Sequence, residues 1–475
     1  MLRRIDARFL LPHPVRRAAV LAGADEWRPE LERAGIALAS GGELDLAVAP
    51  AERAPEALAL RPRAIVLEGR RPRVSATDLE VRRYMPLPSL AEPIVFVPLG
   101  IGGPARYAVR QWAFADRRWK RARNRGLGEV AARGLLPPVR PEVVVAAPRG
   151  LPFVVRAGLE HGLAEDVRPL LLAGQGDDYS RATFLLFQPR AREPSWALKF
   201  ARLPVRLGSF ERERMGLELV REAGGVVAEH APRWLASLEA EGLQCTLETA
   251  ARGKPLLALL RSSPGRPEKL QAIGRVCAWL IKAALSTQAG PGALQEERRR
   301  LADDVLPHWE VDRRLAGDVL EVPAVLVHND LGSWNVVSAG DDFTVLDWED
   351  AIRHGLPLWD LLYFLADATS HLDVGEAAPE KQAEHFERLF LGRAQSSDLL
   401  FRWVRAYVDA LGLSPEAVGP VATLCWLHSG LAGEQRAEEA RDAVAGRYAA
   451  FALMRERAER WLRVPGLGAN WDAWR

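Results

Sequence analysis

Four polar residues between positions 328 and 347 have types and spacings that suit phosphoryl transfer. His328 and Asp330 form an H-x-D pattern in VHNDLGSWNVV, and Asn335 follows the aspartate by five residues. Asp347 comes directly after the apolar run FTVL, which predicts that it ends a strand. Transfer from Mg·ATP requires one carboxylate that accepts the proton of the attacking hydroxyl, and an amide and a second carboxylate that hold magnesium. The spacing predicts all three groups on one loop and one β-hairpin.

This set of residues resembles the aminoglycoside phosphotransferase and choline kinase family, whose members are small-molecule relatives of the protein kinases. The resemblance implies that Asp330 is the catalytic base and that His328 braces the catalytic loop. It also implies that Asn335 and Asp347 bind Mg²⁺, with Asp347 as the principal ligand. Recognisable motifs cover residues 165–370.

One further aspartate and two departures from the family pattern bear on this loop. Asp360, in GLPLWDLLYF, matches the buried aspartate that the family places after its magnesium motif, and we expect it to support the loop through hydrogen bonds. Asn329 stands where the family usually has glycine, which affects loop geometry more than chemistry. Trp348 and Glu349 stand where protein kinases have Phe-Gly. An acidic residue there is common in the small-molecule branch and argues against a protein kinase.

Lys199 is the candidate for binding the nucleotide phosphates. The chain has 58 arginines and only six lysines, yet Lys199 lies inside the apolar run WALKFA. A lysine in a buried strand needs a partner. In the scheme that the resemblance implies, this lysine binds the α- and β-phosphates and pairs with an acid on the next helix. Glu213 matches that acid best, and Glu211 and Glu218 are the alternatives.

The resemblance assigns two further segments to ATP. The turn 174–180, which begins with Gly174, would lie over the phosphates, although it lacks a GxGxxG pattern. The segment LETA, which contains Glu248 and Ala250, matches the hinge whose backbone hydrogen-bonds adenine. ATP and Mg²⁺ are therefore the expected cofactors. The expected partner is a small-molecule hydroxyl acceptor such as a sugar, aminosugar, amino alcohol or aminoglycoside.

The elements that must position these residues divide the chain into three parts. Residues 1–150 begin with alternating strands and helices, which predicts a small parallel α/β, Rossmann-like domain of unknown role. Residues 151–252 predict an antiparallel sheet with one inserted helix, and residues 253–475 are mainly helical. Together with the resemblance, this predicts an α+β protein of bilobal, protein-kinase-like fold. The middle part would be the ATP-binding N-lobe, and the last part the C-lobe with the catalytic loop and acceptor pocket.

Composition excludes several classes of protein. Of the 475 residues, 48% are hydrophobic and 27% charged, as in ordinary globular proteins with large cores. No apolar run reaches the ~18–20 residues of a membrane span, and Pro12 and Pro14 interrupt the basic N-terminus, so we expect a cytoplasmic protein. The three cysteines lie far apart, which argues against a disulfide framework and a structural zinc site.

Positive charge is concentrated in the first third of the chain. Residues 1–150 contain 26 Lys and Arg against 16 Asp and Glu, a net charge of +10, so the rest of the chain carries −8. The stretch 106–125 combines eight basic residues with aromatic ones. Such a stretch could contact an anionic surface, but it is more typical of a solvated helix face whose aromatics pack inward. The charge is too mild to predict nucleic-acid binding, whereas a protein partner could bind this basic domain.

Two other functions are alternatives to a small-molecule kinase. The first is a catalytically weak, kinase-like binding or scaffold protein in a biosynthetic assembly. The intact set of Lys199, Asp330, Asn335 and Asp347 argues against it, because degenerate kinases usually lose one of these groups. The second is a protein or lipid kinase. Here the short interval between Asp347 and Asp360 argues against protein substrates, since it leaves no room for a long activation loop.

Overall fold

The chain folds into two compact units. The computed structural model describes residues 4–70, 74, 78–112, 118–135, 141–174, 181–262, 265–375, 377–439 and 445–467. The first unit comprises Met1–Phe210 and Arg233–Arg252, and the second comprises Glu211–Pro232 and Gly253–Arg475. The predicted division at residue 150 therefore falls inside the first unit.

The first unit is built on one sheet, which has twelve strands in the described residues and is flanked by short helices. Its strands are β1 (Arg17–Val20), β2 (Ala37–Leu38), β3 (Leu46–Pro50), β4 (Ala64–Gly69), β5 (Glu80–Pro88), β6 (Pro93–Pro98), β7 (Glu142–Ala147), β8 (Arg168–Leu172), β9 (Arg181–Phe187), β10 (Trp196–Ala201), β11 (Trp234–Ala240) and β12 (Leu243–Thr249). Its helices are α1 (Trp27–Arg33), α2 (Ala54–Ala59), α3 (Gly102–Trp112), α4 (Arg118–Ala132) and α5 (Phe153–Ala157). The strand order is β11-β12-β10-β9-β8-β6-β5-β7-β4-β3-β1-β2.

One end of this sheet is parallel and the rest is antiparallel. β1 pairs in parallel with β2 and β3, and β3 pairs in parallel with β4. β4 then pairs antiparallel with β7, and β6 pairs antiparallel with β8. The β6–β8 pair joins the strands of residues 1–150 to those of residues 151–252. The expected Rossmann-like domain is thus not separate, because the edge of the β5–β6 hairpin is covered by the next strand of the same sheet.

The core of the first unit also crosses the predicted boundary. The ring of Phe9 packs edge-on against that of Phe200, with centroids 4.7 Å apart. Nearby, Nε of Arg202 donates to both carboxylate oxygens of Asp6, at 2.9 and 3.2 Å, and both side chains are fully buried. Since Arg202 directly follows β10, this ion pair ties the N-terminal segment to the strand that carries Lys199.

The basic stretch 106–125 lies on α3 and α4, apart from residues 113–117, which are outside the described residues. Arg106 pairs with Glu129 across these two helices at 2.7 Å. Tyr107 is buried and packs edge-on against Trp112 at 5.9 Å. This part of α3 therefore has a charged outer face and an aromatic inner face, and its binding to an anionic surface stays a prediction.

The second unit is mainly helical. Its helices are α6 (Gly208–Ala223, whose first three residues fall in the first unit), α7 (Gly225–Glu229), α8 (Leu256–Arg261), α9 (Arg266–Thr287), α10 (Gln295–Arg300), α11 (Leu306–His308), α12 (Trp359–Asp373), α13 (Pro379–Phe390), α14 (Ser397–Leu411), α15 (Pro415–Glu439) and α16 (Ala445–Arg463). Its strands are β13 (Lys254–Pro255), β14 (Val325–Val327), β15 (Val336–Ala339), β16 (Asp342–Val345) and β17 (Ile352–Gly355). They form two small sheets, β13-β15-β16 and β14-β17.

Helix α12 is the central helix of this unit. Every residue from Trp359 to His371 is buried, so the helix has no solvated face over that length. Such a helix belongs to the core, and its neighbours include α8, α9, α13, α14 and α15. Its first turn, which contains Asp360, is therefore held in place by the surrounding core.

None of the helices in the described ranges, taken singly, has the length and apolar character of a membrane span. The segments Ser397–Leu411 and Pro415–Glu438 meet both criteria only when taken together, and they are bent by 116° at the break.

Candidate active site

The H-x-D segment forms a loop between β14 and β15 in the second unit. β14 pairs with β17 and β15 pairs with β16, so the loop leaves one small sheet and enters the other. Asn329 adopts the left-handed conformation, with φ 67°. Asparagine tolerates this region better than most non-glycine residues. This explains how Asn329 can occupy the position where the family usually has glycine.

Asp360 supports the loop from the first turn of α12. Its two carboxylate oxygens accept hydrogen bonds from the backbone N–H groups of His328, at 2.6 Å, and Asn329, at 2.9 Å. Burial raises the pKa of Asp360, while His328 and these two hydrogen bonds act in the opposite direction. The predicted support through hydrogen bonds is confirmed.

His328 connects the loop to the segment that carries Asp347. Its Nε2 donates to the carbonyl of Leu346 at 2.8 Å, and its Nδ1 accepts from the backbone N–H of Asp330 at 3.3 Å. In this pattern Nε2 serves as the donor and Nδ1 as the acceptor. The ring also packs against Trp348, with centroids 4.7 Å apart. These contacts give His328 a bracing role.

One oxygen of the Asp330 carboxylate is contacted by two groups. The hydroxyl of Tyr363 donates to Oδ1 at 3.3 Å, and Nη1 of Arg436 lies 3.5 Å from the same atom. Burial, together with repulsion from Asp347, raises the pKa of Asp330 to about 6 against the lowering effect of Arg436. A carboxylate with this pKa is mostly ionised at neutral pH and can accept a proton. The arrangement therefore suits a general base that reacts through Oδ2.

Asn335 and Asp347 are linked through the backbone. Nδ2 of Asn335 donates to the carbonyl of Asp330 at 2.9 Å, and the N–H of Leu346 donates to the carbonyl of Asn335 at 2.8 Å. Asp347 adopts a left-handed conformation, with φ 64°, directly after β16 and Leu346. The amide oxygen of Asn335 and the carboxylate of Asp347 are the kinds of oxygen that Mg²⁺ prefers. No group of three or more His, Cys, Asp or Glu side chains in the described ranges could hold a metal, which is compatible with Mg²⁺ that takes its other ligands from water and phosphates.

Lys199, the candidate phosphate-binding residue, pairs with Glu248 within the first unit. Nζ of Lys199 lies 2.9 Å from Oε1 of Glu248, and the side chains are 16% and 3% exposed. The sequence placed Glu248 in the hinge through its backbone, and the structure adds this side-chain pairing. The backbone N–H of Ala250 donates to the carbonyl of Ser195 at 3.0 Å, so within this unit it is already engaged.

Glu213 lies on the buried side of α6 in the second unit, with 3% of the residue exposed. The alternatives, Glu211 and Glu218, lie on the outer side and both contact Arg214. Of the three acids, Glu213 therefore has the surroundings expected of an interior ion pair. Its pairing with Lys199 stays a prediction.

Close packing places α6 beside the segment of Asp347. A Cβ atom on Gly216 would lie 1.8 Å from the carbonyl oxygen of Trp348, so no other residue fits without movement of the backbone. Gly216 lies one turn after Glu213. The contact therefore places α6 next to the residue that follows Asp347 in the same unit.

Gly174 has φ 55°, a conformation in which glycine is favoured. A Cβ there would also lie 3.3 Å from the carbonyl oxygen of Arg181. The rest of the predicted phosphate turn, residues 175–180, lies outside the described residues, so the turn stays a prediction.

Three residues beside the loop were missed from the sequence. Tyr363 lies three residues after Asp360 on α12, so helical periodicity could have indicated it. Arg436 and His428 lie on α15, and no spacing connects them with the loop. Nε2 of His428 donates to Oδ1 of Asn329 at 3.0 Å.

Comparison with known families gives one match. Residues 174–393 match the family described as the phosphotransferase enzyme family, a range that contains the candidate base, both candidate metal ligands and Lys199. This match confirms the resemblance that the motifs indicated, and with it the predicted class of enzyme, a small-molecule phosphotransferase. No curated protein sequence matches the chain significantly.

Several solved structures are similar to this chain. A candidate aminoglycoside phosphotransferase from Ralstonia eutropha JMP134 has 14% identity and a TM-score of 0.41, over 68% of this chain and 97% of that one. A glucosamine kinase has 11% identity and a TM-score of 0.35, over 66% and 84%. An aminoglycoside phosphotransferase from Streptomyces rimosus has 19% identity and a TM-score of 0.27, over 55% and 98%. These values are too low to transfer a substrate or a residue's role.

Proposed function

With residues 174–393 matched to the phosphotransferase enzyme family, we propose that the protein transfers the γ-phosphoryl group of ATP to a hydroxyl group of a small molecule. The observation that carries the proposal is the braced loop of the second unit. In it, hydrogen bonds through His328 and Asn335 join the backbone of Asp330 to the residue before Asp347. Phosphoryl transfer depends on positioning and charge stabilisation more than on covalent chemistry, and such a loop provides both.

Each residue has a distinct role in this proposal. Asp330 accepts the proton of the acceptor hydroxyl at Oδ2, while Tyr363 and Arg436 hold Oδ1. Asn335 and Asp347 would hold Mg²⁺, which when bound neutralises charge on the phosphates.

Lys199, steadied by Glu248, supplies a cation for the α- and β-phosphates. We assign the strands of residues 151–252 to the nucleotide lobe of a bilobal, kinase-like fold and the second unit to the acceptor lobe. Residues 1–150 then extend the nucleotide-binding sheet rather than forming a cofactor site of their own.

The test is a titration of Mg·ATP against the wild type and Asp347→Ala, followed by thermal unfolding. Ligand at about 100 times its Kd stabilises the folded state by about 2.7 kcal/mol. We expect this stabilisation in the wild type and its loss in Asp347→Ala. The matched control is Asp341→Ala, on the turn of the same hairpin, where the side chain is 95% exposed. Unchanged affinity in Asp347→Ala would move the metal site elsewhere, and no stabilisation of the wild type would contradict the nucleotide site.

A further inference from the structure

The segment between the candidate base and the candidate metal ligand exposes one tryptophan. Trp334 directly precedes Asn335 and follows Asp330 by four residues. It is 41% exposed, and among the exposed large hydrophobic residues that the structure describes in the second unit it is the only aromatic one. Aromatic side chains beside a few polar groups are typical of small-molecule sites, so this ring is a candidate for contact with the acceptor.

Two neighbours set the place of the indole ring. It packs edge-on against the ring of Tyr363, with centroids 6.2 Å apart. The hydroxyl of that tyrosine donates to Oδ1 of Asp330 at 3.3 Å. The six-membered part of the indole also covers Gly332, where a Cβ atom would lie 2.4 Å from it. The indole is therefore separated from the carboxylate of the base by a single aromatic side chain.

The backbone next to this tryptophan is held on both sides. The N–H of Ser333 donates to Oδ2 of Asp367 on α12 at 2.8 Å, and its carbonyl accepts from the N–H of Leu257 on α8 at 3.0 Å. On the other side, the N–H of Asn335 donates to the carbonyl of Gly332 at 3.0 Å. A ligand that covers the indole would immobilise little of the protein, because the backbone that carries the ring is already ordered.

An indole offers a ligand two kinds of contact. Its face is apolar and carries the negative side of the ring quadrupole, which attracts C–H groups. Its Nε1 is a hydrogen-bond donor, and within the described ranges Nε1 of Trp334 donates to no protein atom. A saturated ring that carries hydroxyl groups matches both contacts, since it has a rigid C–H face and oxygens along its edge.

The other acceptors that the family resemblance implies match fewer of these features. An open-chain amino alcohol or polyol has hydroxyl oxygens but no rigid C–H face. An ammonium group can lie on the face of an indole, but it has no oxygen that accepts a hydrogen bond from Nε1. Arg436, which lies 3.5 Å from Asp330, would also repel a second cation at the base.

We propose that Trp334 determines the specificity of the acceptor site, in that the ring of a sugar stacks on its indole while one sugar hydroxyl faces Asp330. The inference rests on the proposed phosphotransferase function and narrows its acceptors to compounds whose hydroxyl groups are carried by a saturated ring. Trp334 is a binding residue in this proposal, because the proton of the hydroxyl goes to Asp330.

The experiment compares closed sugars with their open-chain counterparts. Glucose, galactose, mannose and glucosamine are each paired with the alditol of the same configuration, which are sorbitol, galactitol, mannitol and glucosaminitol. Choline is the probe for a cation without a ring. Each compound is titrated into the full chain by thermal shift, with and without Mg²⁺ and a non-hydrolysable ATP analogue. We expect at least one closed sugar to bind about tenfold or more tightly than its alditol.

Substitutions at Trp334 separate the two contacts of the indole. Trp334→Ala removes the face and the donor, and it should raise the Kd of the preferred sugar about tenfold or more. Trp334→Phe keeps an aromatic face without the donor, and it should raise the Kd by a smaller factor. The matched control is Leu285→Ala on α9, where an apolar side chain is exposed to a similar extent, 45%. The control should leave the Kd unchanged.

Gly332→Ala moves the indole without removing it. The backbone of Gly332 is not in the left-handed region, so alanine is compatible with it, but its Cβ would collide with the indole. The preference for the closed sugar over its alditol should fall in this variant. Gly292→Ala, where a Cβ would meet no atom within 4 Å, is the matched control and should keep the preference.

Four results would overturn the inference: equal binding of every sugar and its alditol, a preference for the closed sugar that persists in Trp334→Ala, tighter binding of choline than of any sugar, or no sugar binding at tens of millimolar ligand. Stabilisation by the Mg²⁺-bound analogue alone reports on the nucleotide site and should be the same in all four variants. If it is present and the sugars fail, the phosphotransferase function stands and the role of Trp334 falls. If it is absent, the proposed function falls, and the titrations without nucleotide still test the sugar site.

Discussion

Each unit of the protein contains an aspartate in contact with an arginine, and the geometry of the two pairs is different. In the first unit, Nε of Arg202 lies 2.9 and 3.2 Å from the two oxygens of Asp6, and both side chains are 0% exposed. In the second unit, Arg436 lies 3.5 Å from one oxygen of Asp330, and the side chains are 27% and 18% exposed. The first pair is short and closed to solvent, whereas the second pair is longer and partly exposed to solvent.

The geometry of the closed pair suits a structural role, whereas the geometry of the second pair suits a reactive carboxylate. Removing the carboxylate of Asp6 would leave the guanidinium of Arg202 buried without a counter-ion, which costs a large amount of free energy. The pair therefore holds the N-terminal segment against the strand of Lys199. The carbonyl of Arg202 also accepts a hydrogen bond from Arg8, at 2.7 Å, which strengthens the same junction. The contact of Arg436 with Asp330 is looser and, like that of Tyr363, is made to Oδ1, so the proposed reaction with the acceptor hydroxyl takes place at Oδ2.

The largest expected effect comes from Asp330→Asn. The amide keeps the size of the carboxylate but cannot serve as a general base, so turnover should fall by roughly 10²–10⁴-fold. Binding of Mg·ATP should be retained, because the candidate metal ligands are untouched. ADP release and thermal shift measure the two quantities separately. Full turnover in this variant would remove Asp330 from the role of base.

The same substitution in the other pair should act on stability. Asp6→Asn leaves the guanidinium of Arg202 buried without its counter-ion, and we expect a loss of about 3–5 kcal/mol in the free energy of unfolding. Urea denaturation of the full chain measures this change. The control is Asp25→Asn, in which the native side chain is 61% exposed and pairs with Arg28 at the surface. If both variants have the same stability, the closed pair has no structural importance.

The contrast also shows why only part of the molecule could be predicted. The candidate base and metal ligands lie within one short segment, where spacing follows from a loop and a hairpin, and Asp360 follows soon after. Arg436 could not be identified, because an arginine on an amphipathic helix resembles any surface arginine until α15 is packed. Asp6 and Arg202 are 196 residues apart, and only the finished sheet brings them together.

The continuity of the large sheet was missed for a related reason. Strands β6 and β8 fall in different parts of the predicted division, because residues 1–150 and residues 151–252 have different local patterns. Local sequence patterns predict that each segment is a strand, but they do not indicate which other strand it pairs with. Val95 in β6 pairs with Leu172 in β8. This tertiary contact joins two parts of the chain that are each predicted as a complete domain from their own sequence.

A smaller effect is expected from His428, which donates to Asn329 in the loop beside Asp330. Burial, together with Arg300 and Arg436, lowers the pKa of His428 to about 3. The pKa of histidine in the unfolded chain is about 6.5. The stability that comes from keeping His428 neutral is therefore fully present above pH 6.5 and is lost as the pH falls toward 3. At pH 5 the loss is about 2 kcal/mol.

His428→Gln keeps an amide donor but removes the titration. The free energy of unfolding, measured by urea denaturation at pH 7 and at pH 5, should decrease between the two pH values in the wild type. In the variant this decrease should be about 2 kcal/mol smaller. The exposed His161 in the first unit provides the control, His161→Gln, which should follow the wild type. Parallel curves for His428→Gln and the wild type would mean that His428 does not stay neutral in the folded protein.

The smallest effect is expected from Tyr363→Phe, which removes one of the two contacts to Oδ1 of Asp330. A single hydrogen bond contributes about 0.5–1.5 kcal/mol, so kcat should fall by no more than about tenfold. The KM for ATP should stay the same, because the hydroxyl contacts the base rather than the candidate metal ligands. Steady-state kinetics separate the two constants. A hundredfold fall in kcat would mean that Tyr363, rather than the loose arginine contact, holds the base, and the difference between the two aspartate–arginine pairs would then lie in this hydroxyl.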